Sequence, residues 1–173
     1  TVCAAPLDVQ AVIRRMADQI AAAVPGRDIK VALDEWNLWL SPPPGAETMH
    51  RLIYTQRDAL YIAGMLNVFH RCCRELTLAN LAQLVNVLPL IVTDAQRAVP
   101  TALYFPFRMY REMQSIALPV KVSSPAFSSP ALGNISAHQD VPYLDLTATR
   151  DEEGARWVLG VVNRHPERSI DAV

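Results

Sequence analysis

Residues 29–36, Ile29-Lys30-Val31-Ala32-Leu33-Asp34-Glu35-Trp36, restrict the fold more than any other segment. Ile29, Val31 and Leu33 alternate along it, which predicts a strand with those three side chains on a core. Glu35 then closes the same face at the C-terminal end, and Asp34 falls on the opposite one. Helix-forming runs flank this strand. Residues 8–24 carry Val9, Val12, Ile13, Met16, Ile20, Ala23 and Val24 near a 3.6-residue period, with Asp8 as N-cap and Pro25-Gly26 as terminator. Residues 56–72 open on Thr55 and Asp58, a capping-box pair, and are apolar around most of the helix, which predicts burial. Helix, strand, helix in this order belongs to an α/β architecture.

The rest of the chain divides in two. Residues 40–46 contain Pro42-Pro43-Pro44-Gly45 and read as a loop. Residues 75–92 suit either a helix or a buried strand, which periodicity alone does not separate. A third helix is expected over 102–114. Beyond Leu118 the composition changes. Residues 123–136 are rich in Ser, Pro and Ala. Two β-prone runs, 143–149 and 156–163, then flank Asp151-Glu152-Glu153-Gly154, the pattern of a hairpin. The expected fold class is therefore α/β plus all-β, with residues 1–115 as one domain and 116–173 as another. The first part suits the last units of a (β/α)8 barrel, and the second suits part of a β-sandwich. A barrel needs eight strands in about 250 residues, and a sandwich about seven strands. Two candidate barrel strands and a chain without an initiator Met lead to the expectation of a portion of a longer polypeptide. Barrel strands without their neighbours expose unpaired edges, so stability is expected only with the missing part or by self-association.

Composition removes several classes of function. The 173 residues are 51% hydrophobic, enough for a sizeable core, and the net charge is -1. Nucleic acid and anionic membrane surfaces need a basic stripe, so neither is an expected partner. No apolar run reaches the length of a membrane span, and the start does not resemble a signal peptide. Cys3, Cys72 and Cys73 are too few and too badly spaced for a disulfide framework, which points to reduced thiols in a cytoplasmic protein. His70 stands close to Cys72 and Cys73, but zinc pairs leave two or more residues between cysteines. Neither a phosphate-cradling glycine loop nor a nucleophile elbow is present. No metal and no cofactor is implied.

The chemistry-bearing segment is Val31-Ala32-Leu33-Asp34-Glu35-Trp36-Asn37-Leu38-Trp39. An acid at the C-terminal end of a barrel strand reads as catalytic, because active sites form on that face. An adjacent indole can stack on a sugar ring and donate its N–H. A strand that ends in a solvated acidic loop fits the same residues.

Asp34-Glu35-Trp36-Asn37 after a short hydrophobic strand resembles the nucleophile strand of α-L-arabinofuranosidases of glycoside hydrolase family 51. The likeness continues at Arg57-Asp58-Ala59-Leu60, Leu66-Asn67-Val68-Phe69 and residues 79–87. It extends to Val141-Pro142-Tyr143-Leu144-Asp145 and Val162-Asn163-Arg164-His165-Pro166. The resemblance implies a barrel followed by a sandwich, with residues 29–36 and 75–83 as the seventh and eighth barrel strands. It also implies a retaining hydrolase of terminal arabinofuranosyl groups, acting on arabinose-containing oligosaccharides and homo-oligomeric at full length. Glu35 would be the nucleophile and Gln83 a ligand of a sugar hydroxyl. Trp36, Asn37 and Trp39 would line the pocket, and Asp34 would hold backbone or an arginine. In the family the acid/base follows an Asn, and no Asn-Glu pair occurs in this chain. The polypeptide by itself is therefore expected to lack hydrolase activity. Two other readings stay open: a retaining barrel glycosidase for xylosides or glucans, and a non-catalytic carbohydrate-binding or assembly module.

Overall fold

Two strands joined through a buried helix can pair in parallel, because the crossover returns the chain to the same end of the sheet. The computed structural model, which describes residues 1–40, 44–45 and 52–171, contains such a unit. Helix α1 (Pro6–Ala23) leads into strand β1 (Val31–Trp36), helix α2 (Gln56–Arg71) and strand β2 (Leu76–Leu81). β1 and β2 are parallel neighbours. α2 begins where expected: the Asp58 carboxylate accepts from the Thr55 N–H at 2.8 Å and from its hydroxyl at 2.9 Å. Ile62, Met65 and Val68 of α2 are fully buried. Each such side chain contributes about 1.5–3 kcal/mol of burial. Val68 meets Ile13, Val31, Cys72 and Leu76 in one cluster, and Ile62 and Met65 join Trp36, Leu38 and Leu103 in another.

Several expectations need correction. α1 starts at Pro6, where the missing N–H costs nothing. Asp8 is not its cap: its carboxylate accepts the Ser136 N–H at 2.9 Å and lies 3.2 Å from the His138 ring. Ile29 precedes β1 and is exposed. Within β1 the pairing shifts register, Leu33 standing opposite Ala79 and Trp36 opposite Leu81. That extra residue reverses the alternation. Trp36, not Glu35, therefore follows Leu33 onto the helix-covered side, and both pack in the same cluster. The ambiguous segment 75–92 resolves into β2 and an irregular loop. An unforeseen hairpin follows, strands β3 (Ile91–Thr93) and β4 (Ala98–Pro100). The third helix, α3 (Tyr104–Tyr110), is shorter than expected. Most of the proline loop lies outside the described residues.

The remaining strands are antiparallel. β5 (Ile116–Leu118), β8 (Leu144–Arg150) and β9 (Trp157–Asn163) form one sheet, and β6 (Ala126–Ser129) pairs with β7 (His138–Pro142). β8 and β9 are the two arms of the expected hairpin, in register from Leu144 opposite Asn163 to Arg150 opposite Trp157. Gly160 in β9 leaves room for α3: a Cβ there would lie 3.0 Å from the Tyr110 hydroxyl and 2.6 Å from the Met113 methyl.

The sheet meets α2 through charge. Asp145, on β8 and 7% exposed, receives Arg71 Nη1 at 2.7 Å and lies 3.0 Å from Arg164 Nη2. Asn67, fully buried on α2, donates to the Asp145 carboxylate at 3.1 Å and to its carbonyl at 3.2 Å. Tyr110 donates to the Asn67 side-chain oxygen at 2.5 Å. Burial pulls the Arg164 guanidinium below its usual range, and Asp145 opposes that pull.

Candidate active site

The C-terminal ends of β1 and β2 lie side by side, and the polar residues singled out in the sequence gather there. Glu35 is exposed near the end of β1, and Gln83 is exposed just beyond the end of β2. The two ends are clamped together. The Ala82 N–H donates to the Trp36 carbonyl at 2.9 Å. Asn37, 5% exposed, donates its amide to the carbonyls of Ala82 at 2.7 Å and Leu88 at 2.8 Å, and accepts the Leu38 N–H at 2.8 Å. One side chain thereby fixes the peptide that carries Gln83. The same loop holds Asn86 and Leu88 at positive φ, 62° and 49°. Asn86 anchors it by accepting the Thr93 N–H at 2.7 Å.

Two tyrosines support this edge from below. Tyr61 donates to the Asn37 carbonyl and Tyr54 to the Leu38 carbonyl, each at 3.3 Å. Burial pushes both hydroxyls up to about 12, Tyr54 with a further contribution from Asp58, so both stay neutral donors. Their role carried no signal in the sequence, because a hydroxyl reaching a carbonyl more than fifteen residues away leaves no local pattern.

Trp36 and Asn37, expected to line a pocket, are buried. The Trp36 ring meets Phe69 edge-on at 4.9 Å and stacks with Phe107 at 5.9 Å. Trp39 is half exposed. Asp34, expected to hold backbone or an arginine, is exposed and has neither partner among the described residues. His70, Cys72 and Cys73 do not converge: the His70 ring lies 2.8 Å from the Leu66 carbonyl, Cys72 is buried and Cys73 is exposed. Among the described residues no group of three metal-ligating side chains occurs. A groove of about 890 Å³ runs between α2, α3 and the end of β9, and Glu35 and Gln83 do not line it.

An exposed carboxylate at a strand end, beside a glutamine whose preceding peptide is held by Asn37, can attack an electrophilic carbon while the glutamine amide orients a hydroxyl. Comparison with known proteins identifies the setting. The family model of the alpha-L-arabinofuranosidase C-terminal domain matches residues 34–167. The chain belongs to this family. An intracellular exo-alpha-L-arabinofuranosidase of Bacteroides ovatus is 34% identical over 135 residues, 74% of this chain and 25% of that protein. An intracellular exo-alpha-(1->5)-L-arabinofuranosidase of Halalkalibacterium halodurans is 30% identical over 84% of the chain and 30% of its own length. A solved family 51 alpha-L-arabinofuranosidase from Bifidobacterium longum superposes with a TM-score of 0.78 at 28% identity, over 94% of this chain and 34% of that one. The Thermotoga maritima enzyme in its arabinose complex gives 0.78 at 26%, with the same coverage. The chain thus spans about a quarter to a third of the length of these relatives. The resemblance read from the sequence is to the right family, and arabinofuranosidase is favoured over the xylosidase, glucanase and module readings. No helix among the described residues is long and apolar enough to cross a membrane.

Proposed function

We propose that this chain supplies the nucleophile side of a retaining α-L-arabinofuranosidase, with Glu35 attacking the anomeric carbon of a terminal arabinofuranosyl group. The observation that carries the reading is the pairing of Glu35 with Gln83. Both are exposed at adjoining ends of two parallel strands, inside the segment matched by the family. In this reading residues 1–115 are the last units of a (β/α)8 barrel, with β1 and β2 as its seventh and eighth strands. Residues 116–173 are part of a β-sandwich. The βαβ unit and the antiparallel sheet that follows it support that division.

Glu35 acts ionised. It forms a glycosyl ester as the glycosidic bond breaks, and water later releases the sugar with retained configuration. The proton for the leaving oxygen comes from a second carboxyl about 5 Å across the bond, carried by another part of the polypeptide. Gln83 orients a sugar hydroxyl, and Trp39, with its exposed ring, stacks on the sugar or its neighbour. Trp36 and Asn37 lie buried beneath the strand ends and hold the scaffold that carries Glu35 and Gln83. The substrate is an arabinose-containing oligosaccharide, and no cofactor enters. The working enzyme is a homo-oligomer inside the cell; the intracellular setting is supported by the names of two relatives.

An aryl α-L-arabinofuranoside tests this. The 173-residue chain alone is expected to give no turnover. A polypeptide that also carries the acid/base should hydrolyse it, and Glu35→Ala should lower kcat by at least about a thousandfold, on the scale of losing a catalytic nucleophile. Turnover by the short chain that depends on Glu35, or turnover by the longer one that survives Glu35→Ala, defeats the reading.

A further inference from the structure

Among the described residues, the charged side chain of the β-rich part that grips α2 has no part in the chemistry above. Asp145 holds Arg71 at 2.7 Å and Asn67 at 3.1 Å, and its second cation, Arg164, stands 3.0 Å away, just past the end of the neighbouring strand β9. We propose that Asp145 is a positioning residue for Glu35, acting through α2. The inference rests on Glu35 being the nucleophile.

The mechanical path is short. Asn67 and Arg71 bracket Val68 and Phe69 on the same turn of α2. Val68 packs with Val31 and Leu76, the first residues of β1 and β2. Phe69 meets the Trp36 ring edge-on at 4.9 Å, and Trp36 is the residue after Glu35. The register shift that puts Trp36 on the helix-covered side makes its seat on Phe69 decide how far Glu35 projects from the other side.

The kinds of contact on the two faces of α2 assign the control. Its contacts to β1 and β2 are mainly apolar, and apolar contact is non-directional and tolerates sliding. Its contacts to Asp145 are charged and directional, and these fix rotation and translation along the axis. The remaining polar ties of α2 to the strand end are at its other half, where Tyr61 reaches the Asn37 carbonyl at 3.3 Å. Without Asp145 the C-terminal half of α2, which carries the Phe69 seat of Trp36, keeps its burial and loses its register.

The test uses the polypeptide that carries this sequence together with the acid/base. Active sites are counted by trapping the glycosyl-enzyme with a 2-deoxy-2-fluoro arabinofuranoside, and kcat is expressed per trapped site below the melting midpoint. Asp145→Asn is expected to lower that kcat about ten- to a hundredfold, the scale of a misplaced reacting group, with KM close to wild type. If kcat per trapped site stays at the wild-type value while the midpoint falls, Asp145 is structural only and the inference is overturned. Should Asp145→Asn not fold, Arg71→Met leaves the Asp145–Arg164 pair in place and carries the same expectation. Glu35→Ala is measured alongside. An active Glu35→Ala enzyme defeats the nucleophile reading and this inference with it, whereas an inactive one with unaltered Asp145→Asn kinetics defeats this inference alone.

Discussion

Asn37 gives both amide hydrogens to carbonyls more than forty residues away and accepts the N–H of its neighbour. With the Ala82 N–H donating to the Trp36 carbonyl, it ties the ends of β1 and β2. Asn37→Ala leaves two buried carbonyls without donors, each costing about 1–3 kcal/mol. A loss of about 2–4 kcal/mol is expected, below the sum because the loop can relax toward water, and denaturant unfolding measures it. Asn37→Asp replaces the donating amide with an acceptor, and should destabilise at least as much at neutral pH. Glu35 shows the limit of reading single residues. Its place in the motif was legible, and so was its strand. Its face was not, because strict alternation puts it beside Leu33. One unpaired residue in β1 gives that place to Trp36.

α2 was the most legible element. Its start follows from Thr55 and Asp58 and its burial from an apolar surface on nearly every side, and it ends at Arg71, one residue short of the expected span. What it holds was invisible. Tyr61 and Tyr54 lie beneath the strand end, and burial raises both hydroxyls to about 12. The pH consequence has a definite sign. An unfolded tyrosine ionises near 10, while these hold their protons in the folded state. Stability contributed by the neutral donors is therefore complete below pH 10 and is lost as pH rises toward 12. Absorbance at 295 nm and far-UV circular dichroism, recorded together from pH 9 to 12.5, should show these phenols ionising with loss of helix. Full ionisation near pH 10 with the helix signal intact would contradict their burial. β3 and β4 show the opposite case: three-residue strands give too short a pattern to be seen against a loop.

On the scale of the molecule, the β-rich part is joined to α2 through a buried carboxylate and two guanidiniums. Breaking such a cluster from one side costs about 3–5 kcal/mol, because the partners stay buried and unpaired. The outer face of β9 is less settled. Trp157, Leu159 and Val161 alternate along it and are all exposed, and β9 is an edge of its sheet. An apolar stripe on an open strand edge favours association. The 173-residue chain is expected to self-associate at micromolar concentration, and Leu159→Lys should shift it toward monomer in sedimentation velocity. A monodisperse wild-type monomer with cooperative unfolding would count against the expectation.

The sequence by itself determined the element types where a pattern repeats several times: the helix around residues 56–71, the strand before Asp34, the hairpin about Gly154. It also determined the family, because its motifs recur in order along most of the chain. The tertiary structure alone decided which face of β1 is covered, which side chains are donors to distant carbonyls, and which parts are locked together by charge. The physical reason is range. Propensity and periodicity act over a few residues and are written in neighbouring letters. A register shift depends on the partner strand, and an ion pair joining residues 71, 145 and 164 depends on the path of everything between them.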